Sequence, residues 1–167
     1  DALQEASDYA AAESLVNECL EFCDQDPGLA LSRGWMEGKL LYIQRAKGDH
    51  ARGAEILREK VAHMKKASGE CHRDLIAPLI MQSEFERDAK LYDAAISHAQ
   101  EALAIARANT PSASALKGGE SIETLRSDLV NSLRILADCE SQAGRHQDAI
   151  RDAREAFRIA DEQGNNV

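Results

Sequence analysis

Four segments of this 167-residue chain carry the same order of ring, small and apolar residues, and that repetition limits the fold more than any other feature. They are SDYAAAESLVNECLEFC from Ser7, GDHARGAEILREKVAHM from Gly48, KLYDAAISHAQEALAIA from Lys90 and GRHQDAIRDAREAFRIA from Gly144. Each has a ring two residues in (Tyr9, His50, Tyr92, His146) and a small residue five in (Ala12, Gly53, Ala95, Ala149). Apolar groups follow near nine and thirteen, the latter being Leu20, Val61, Leu103 and Phe157. Successive small-residue anchors lie 41, 42 and 54 residues apart, so two spacings agree and the third contains an insertion.

Apolar positions in these segments recur at three and four, which predicts amphipathic helices. The clearest stripes are Ala95, Ala99, Ala102, Leu103 and Ala106, and Ala149, Ala153, Ala156, Phe157 and Ala160. A further helical stretch precedes three of the segments, at Leu29–Ala46, Leu75–Asp88 and Glu120–Ala143. Breakers separate the pairs: Asp26-Pro27-Gly28, Ser68-Gly69, and Asn109-Thr110-Pro111 with Gly118-Gly119. Pro78 fits inside a helix if Asp74 is its N-cap, because a first-turn N–H has no partner to lose. The residues 110–121 are rich in Ser, Ala and Gly and read as a loop between pairs. The chain has 28 alanines and only 4% aromatic residues, which suits helices that approach closely and not a bulky aromatic core.

A net charge of −9 opposes binding to a phosphate backbone or an anionic membrane surface, so neither nucleic acid nor membrane is an expected partner. No apolar run long enough to span a bilayer is present and no signal peptide is evident. Cys19, Cys23, Cys71 and Cys139 are not needed as a disulfide framework in a chain of this length, which points to a reducing, cytoplasmic setting. Cys19 and Cys23 share a helix face, but no closed ligand set such as CxxC pairs or HExxH appears, so no metal site is expected and Cys19 is assigned to packing. Lys117-Gly118-Gly119 lacks phosphate-loop spacing, and no histidine has a nucleophile at a fixed local distance. These observations predict a protein that is not an enzyme and needs no cofactor.

The arrangement resembles the tetratricopeptide repeat family. The match is best in Leu133, Leu136, Ala137, Gly144, His146, Ala149, Ile150, Ala156 and Phe157, and recurs in Leu79, Ser83, Tyr92, Ala95, Ile96, Ala102 and Leu103. Gly53 and Val61 carry a weaker unit in which Lys60 replaces a small residue. The resemblance implies an all-α fold, a right-handed α-solenoid of about 3.5 stacked antiparallel helix pairs, forming one domain over 1–167 with units near 1–28, 29–68, 74–109 and 120–164. Units of 41 to 42 residues exceed the family minimum of about 34, as in bacterial signalling regulators and kinesin light chain-like proteins. The first unit lacks its first helix and the last helix lacks a polar cap, so the expectation is a piece of a larger chain.

In this family the first helix of each pair lines a concave groove, which places Trp35, Tyr42, Arg45, Ile80, Glu84, Arg87, Asn131, Arg134, Asp138 and Gln142 on the inner face. Gly38 and Tyr42 stand where a chaperone-tail clamp needs lysine and asparagine, so that partner is not expected. The implied function is a scaffold that binds a peptide or partner helix, with Arg45, Arg87 and Arg134 suited to an acidic segment. Two readings of Trp35 and Tyr42 stay open, an aromatic wall of the groove or filler against the incomplete first unit. Likewise Arg134 either contacts a partner or pairs with Asp138 one turn on. The alternatives in function are a sensor domain that binds a small ligand or signalling peptide to control an attached output domain, and a self-association module whose solenoid ends stack.

Overall fold

A computed structural model describes residues 2–110 and 122–164. The expected loop at 110–121 therefore lies, apart from Thr110, outside the described residues, as do the first two residues of the helix expected over Glu120–Ala143. Seven α-helices and no strand occur among the described residues: α1 (Ala2–Gln25), α2 (Ala30–Lys47), α3 (His50–Ser68), α4 (Ile76–Asp88), α5 (Tyr92–Asn109), α6 (Ile122–Gln142) and α7 (His146–Gly164). No helix among them is long and apolar enough to cross a membrane.

The chain divides into two compact units, residues 1–56 and 57–167, with the boundary inside α3 rather than at a turn between pairs. In the first unit α1 packs on α2. Gln44 Nε2 and Lys47 Nζ donate to opposite oxygens of Glu13 at 2.7 and 2.5 Å. The Lys47 hydrogen bond, reinforced by Gln44, holds the Glu13 carboxyl below its ordinary range. In the second unit α4 packs on α5, α5 on α6 and α6 on α7, and α4 also reaches α6. Ala95, Ala99 and Ala102 are wholly buried in a core shared with Leu79, Leu133 and Ile135. Alanine at those positions lets the neighbouring helices approach without a gap.

Three turns repeat one hydrogen-bond pattern, and they coincide with three of the four aligned segments. Gly48, Lys90 and Gly144 take left-handed backbone with φ of 72, 64 and 78°. Their N–H groups donate to the carbonyls of Arg45, Arg87 and Ser141, and the following N–H groups, from Asp49, Leu91 and Arg145, donate to Gln44, Glu86 and Glu140. This is a Schellman stop, which satisfies the last carbonyls of one helix and reverses the chain into the next. The small anchors Gly53, Ala95 and Ala149 then donate to the carbonyls of Asp49, Leu91 and Arg145.

Other starts differ from expectation. Pro78 does lie in the first turn of α4, but Asp74 does not cap it. A 3-10 turn at Arg73–Leu75 intervenes, and His72 Nδ1 accepts from the Asp74 N–H at 3.3 Å. Earlier in the chain, Asp26 Oδ1 accepts from the Gly28 N–H at 2.8 Å and nucleates the turn between α1 and α2. Of the four rings, Tyr9, His50 and Tyr92 are half-buried while His146 is exposed.

In these three turns the residue four before the left-handed one is polar and buried: Gln44, Glu86 and Glu140 are 0, 1 and 3% exposed. Helical spacing alone does not reveal this, because a charged side chain on the apolar face looks like an edge residue. Glu86 Oε2 lies 2.7 Å from His98 Nδ1 on α5, and Gln82 Nε2 donates to Glu86 Oε1 at 3.1 Å. One repeat later the position equivalent to His98 is Asp152, so Glu140 meets a second carboxylate. Burial first, then the charges of Asp152 and Asp148 and a hydrogen bond with Asp152, push the Glu140 carboxyl up to about 7, against the opposing pull of Arg151. The Glu140 Oε2 atom has no hydrogen-bond partner among the described residues.

Two stability changes are expected. A folded-state pKa above the unfolded one stabilises the fold at low pH, and that contribution is lost as pH rises through about 7. Glu140→Gln, which installs the amide that Gln44 already provides in the first unit, is expected to be nearly neutral at pH 5. At pH 8 the same change should stabilise by about 1–3 kcal/mol, read from urea unfolding at both pH values. Lys90→Gly removes the Cβ clash of a left-handed residue and should stabilise by about 1 kcal/mol, a thermal shift of roughly 2–4 °C. Calorimetry checks it, and Gly48→Ala should shift the midpoint the other way.

Candidate functional site

Arg134 stands on α6 with its guanidinium oriented from both sides along its own helix. Its Nη2 donates to Asn131 Oδ1 at 2.9 Å and its Nη1 to Asp138 Oδ2 at 3.4 Å. The same Asp138 oxygen lies 3.9 Å from Arg87 Nη1, projected from α4. Arg87 is held in turn by Asp88 Oδ1, which accepts from Nε at 3.0 Å and from Nη2 at 2.8 Å. Two guanidiniums from two helices thus converge on one carboxylate because α4 and α6 pack side by side.

The electrostatics of the two arginines differ. Arg134 and Asp138 are about half exposed, so their pair is screened and contributes little to stability. Arg87 is more enclosed, at 21% exposure. Burial opposes its charge, but the hydrogen bond and charge of Asp88, with Cys139 and Glu84, outweigh that and raise its pKa. Glu84 is half-buried. The neighbouring Cys139 is wholly buried, and burial pushes its thiol up to about 11, so it stays protonated and is no nucleophile near neutral pH. What the arrangement offers is a pre-oriented, half-exposed guanidinium with donors left for a planar acceptor such as a carboxylate.

The ten residues expected on one inner face separate into three groups. Asn131, Arg134, Asp138 and Arg87 are brought together, with Glu84 on the same helix as Arg87, and Gln142 is exposed at the end of α6. Ile80 is corrected: it is 7% exposed and belongs to the core that α4 shares with α5 and α6, since its spacing from Ile76 and Leu79 puts it on their buried stripe. Trp35, Tyr42 and Arg45 lie on α2 in the first unit, all exposed. Trp35 is 63% and Tyr42 68% exposed, so neither fills a junction. The Lys39 ammonium sits 5.1 Å from the centre of the Trp35 ring, a cation–π contact that i, i+4 spacing permits but does not announce in the sequence. Asp88, the other residue absent from the expected set, lies at the last position of α4, where periodicity carries least information.

Cys19 is also corrected in part. It is half-buried and lines an open groove with Cys23 instead of being enclosed. Among the described residues no three His, Cys, Asp or Glu side chains are placed to hold a metal ion.

No protein-family model and no curated protein matches the chain. Among solved structures, the crystal structure of BtubC (BKLC) from P. vanneervenii is similar over 96% of this chain, with a TM-score of 0.72 and 18% identity. This chain spans 59% of the BtubC chain. At that identity the likeness concerns the fold, and it agrees with the helical, repeat-like packing of this chain.

Trp35→Ala should leave the helical circular dichroism unchanged and cost no more than about 0.5 kcal/mol, as for other exposed positions. A larger loss in urea unfolding would show that the ring serves packing.

Proposed function

We propose that this protein is an interaction module built from tetratricopeptide-like repeats of an α-solenoid, and that its α4/α6 face grips an acidic peptide segment. The observation that carries the reading is Arg134, half exposed and oriented by Asn131 and Asp138 beside Arg87 of the neighbouring helix. An arginine held this way loses little side-chain freedom when it binds a carboxylate, so the contact gains affinity from preorganisation. Asp138 tempers the positive charge and discriminates against a partner that does not displace it. The shared turns at Gly48, Lys90 and Gly144 support the repeat reading, as does the likeness in fold to BtubC. The Trp35, Lys39 and Tyr42 surface of α2 supplies a separate aromatic and cationic contact in the first unit.

Affinity capture with the protein identifies partners, and fluorescence anisotropy with a labelled acidic peptide from the captured set measures the contact. Arg134→Ala is expected to weaken binding about tenfold, the loss typical of one charge-assisted hydrogen bond, with helicity intact. Arg134→Lys should restore only part of it, and Asp138→Asn should strengthen it. Equal affinity of wild type and Arg134→Ala for every captured peptide would overturn this reading.

A further inference from the structure

The buried polar position beside each repeat turn is satisfied between α4 and α5 but not between α6 and α7. Both oxygens of Glu86 are engaged: Gln82 Nε2 donates to Oε1 at 3.1 Å, and His98 Nδ1 lies 2.7 Å from Oε2. Fifty-four residues on, the spacing of the last two anchors, Leu136 replaces Gln82, Glu140 replaces Glu86 and Asp152 replaces His98. Both donors are thereby lost. Glu140 and Asp152 are nevertheless buried, at 3 and 6% exposure, and so is Leu136 one turn earlier. Glu140 Oε2 is left without a hydrogen-bond partner among the described residues.

Two carboxylates in one dry contact cannot both ionise at low cost. Arg151 decides which of them holds the charge. It donates to both oxygens of Asp152, from Nε at 2.9 Å and from Nη2 at 3.4 Å, and binds Asp148 through Nη1 at 2.7 Å. That contact keeps Asp152 ionised, so the proton of the pair sits on Glu140, whose hydrogen bond is with Asp152. Arg151 is itself 64% exposed, so solvent screens it and it does not replace an interior cation.

Charges on the other helices packed against α6 and α7 are engaged with one another. On α5, Asp93 accepts from Arg145 at 2.6 Å, Glu101 pairs with Lys65 at 2.5 Å and Arg107 with Glu155 at 3.0 Å. On α4, Glu84 and Asp88 lie with Arg87, which also reaches Asp138 of α6. His146, at the start of α7, is exposed.

We propose that Glu140 and Asp152 make the α6/α7 pair a proton-gated joint, closed while Glu140 carries its proton and opened to water when that proton leaves for solvent. One proton is released on opening and no other bond changes. The Glu140 carboxyl lies at about 7 in the closed joint, against 4.5 for an ordinary one, so closure is favoured at low pH and the preference is lost as pH rises through about 7. Between pH 6 and pH 8 the ratio of closed to open joint therefore falls about tenfold. The α4/α5 pair has no such proton to lose, because Glu86 keeps a donor from Gln82, and from His98 whether the imidazole is neutral or charged. The joint uses none of the residues that orient Arg134, so it stands or falls apart from the peptide face.

Hydrogen–deuterium exchange at pH 6 and pH 8, corrected for the intrinsic pH dependence of amide exchange, tests the proposal. In the wild type, protection over residues 136–143 and 146–156 should fall about tenfold between the two pH values, while α5 keeps its protection. Glu140→Gln retains a donor for Asp152 with no proton to lose, and should hold protection level across the range. Asp152→Asn removes the second carboxylate and should shrink the difference, with circular dichroism confirming that both variants are folded. Equal wild-type protection at both pH values overturns the proposal without recourse to any variant. A loss that persists in Glu140→Gln also overturns it, since another group such as His146 would then be responsible. So does a loss of the same size in α5, which would be a weakening of the whole fold and not of one joint.

Discussion

Close approach of helix backbones is the condition on which this structure depends, and alanine at the contact makes it available. With Ala95, Ala99 and Ala102 wholly buried, α5 has no bulk on the side where α4 and α6 must meet it. A larger residue there would hold the helices apart and open voids along the whole stripe. Because α4 consequently reaches α6 as well as α5, side chains from two different repeats come within range on the outer surface. The convergence of Arg87 and Arg134 on Asp138 is a result of that spacing.

The α2/α3, α4/α5 and α6/α7 pairs are each closed by a left-handed residue and a Schellman stop, and beside each stop one polar side chain lies in the interior. The carbonyls of Gln44, Glu86 and Glu140 each accept the second hydrogen bond of their turn, and their side chains are buried. What the side chain meets differs in each repeat. Glu13 receives Gln44, His98 meets Glu86, and Asp152 meets Glu140. A single backbone device is thus tolerant of three chemistries, of which the paired carboxylates carry the greatest desolvation cost.

Much of the helical plan is legible in the amino-acid sequence. The helices fall where the stripes and breakers put them, because period and turn chemistry are local properties, and the three repeat turns begin at the aligned positions Gly48, Lys90 and Gly144. Legibility fails where a residue's environment depends on the neighbouring pair. Ile80 and Arg87 lie on one helix and both read as inner-face positions, yet Ile80 is core and Arg87 meets solvent. Phe157 matches Leu103 in alignment but not in burial, since what covers a stripe is not written in the stripe.

The sequence by itself determined that this chain is helical, that its helices come in turn-linked pairs, and that small residues mark their contacts. Those properties rest on interactions within a few residues: hydrogen-bonded turns, amphipathic period and steric limits on φ. Only the tertiary structure decided which polar residues meet and which apolar faces stay open. Arg134 with Asp138 and Arg87, Glu140 with Asp152, and the exposed Phe22 and Phe157 all depend on how one helix lies against another. Burial and charge pairing are sums over neighbours distant in the chain, so they are set when the helices pack.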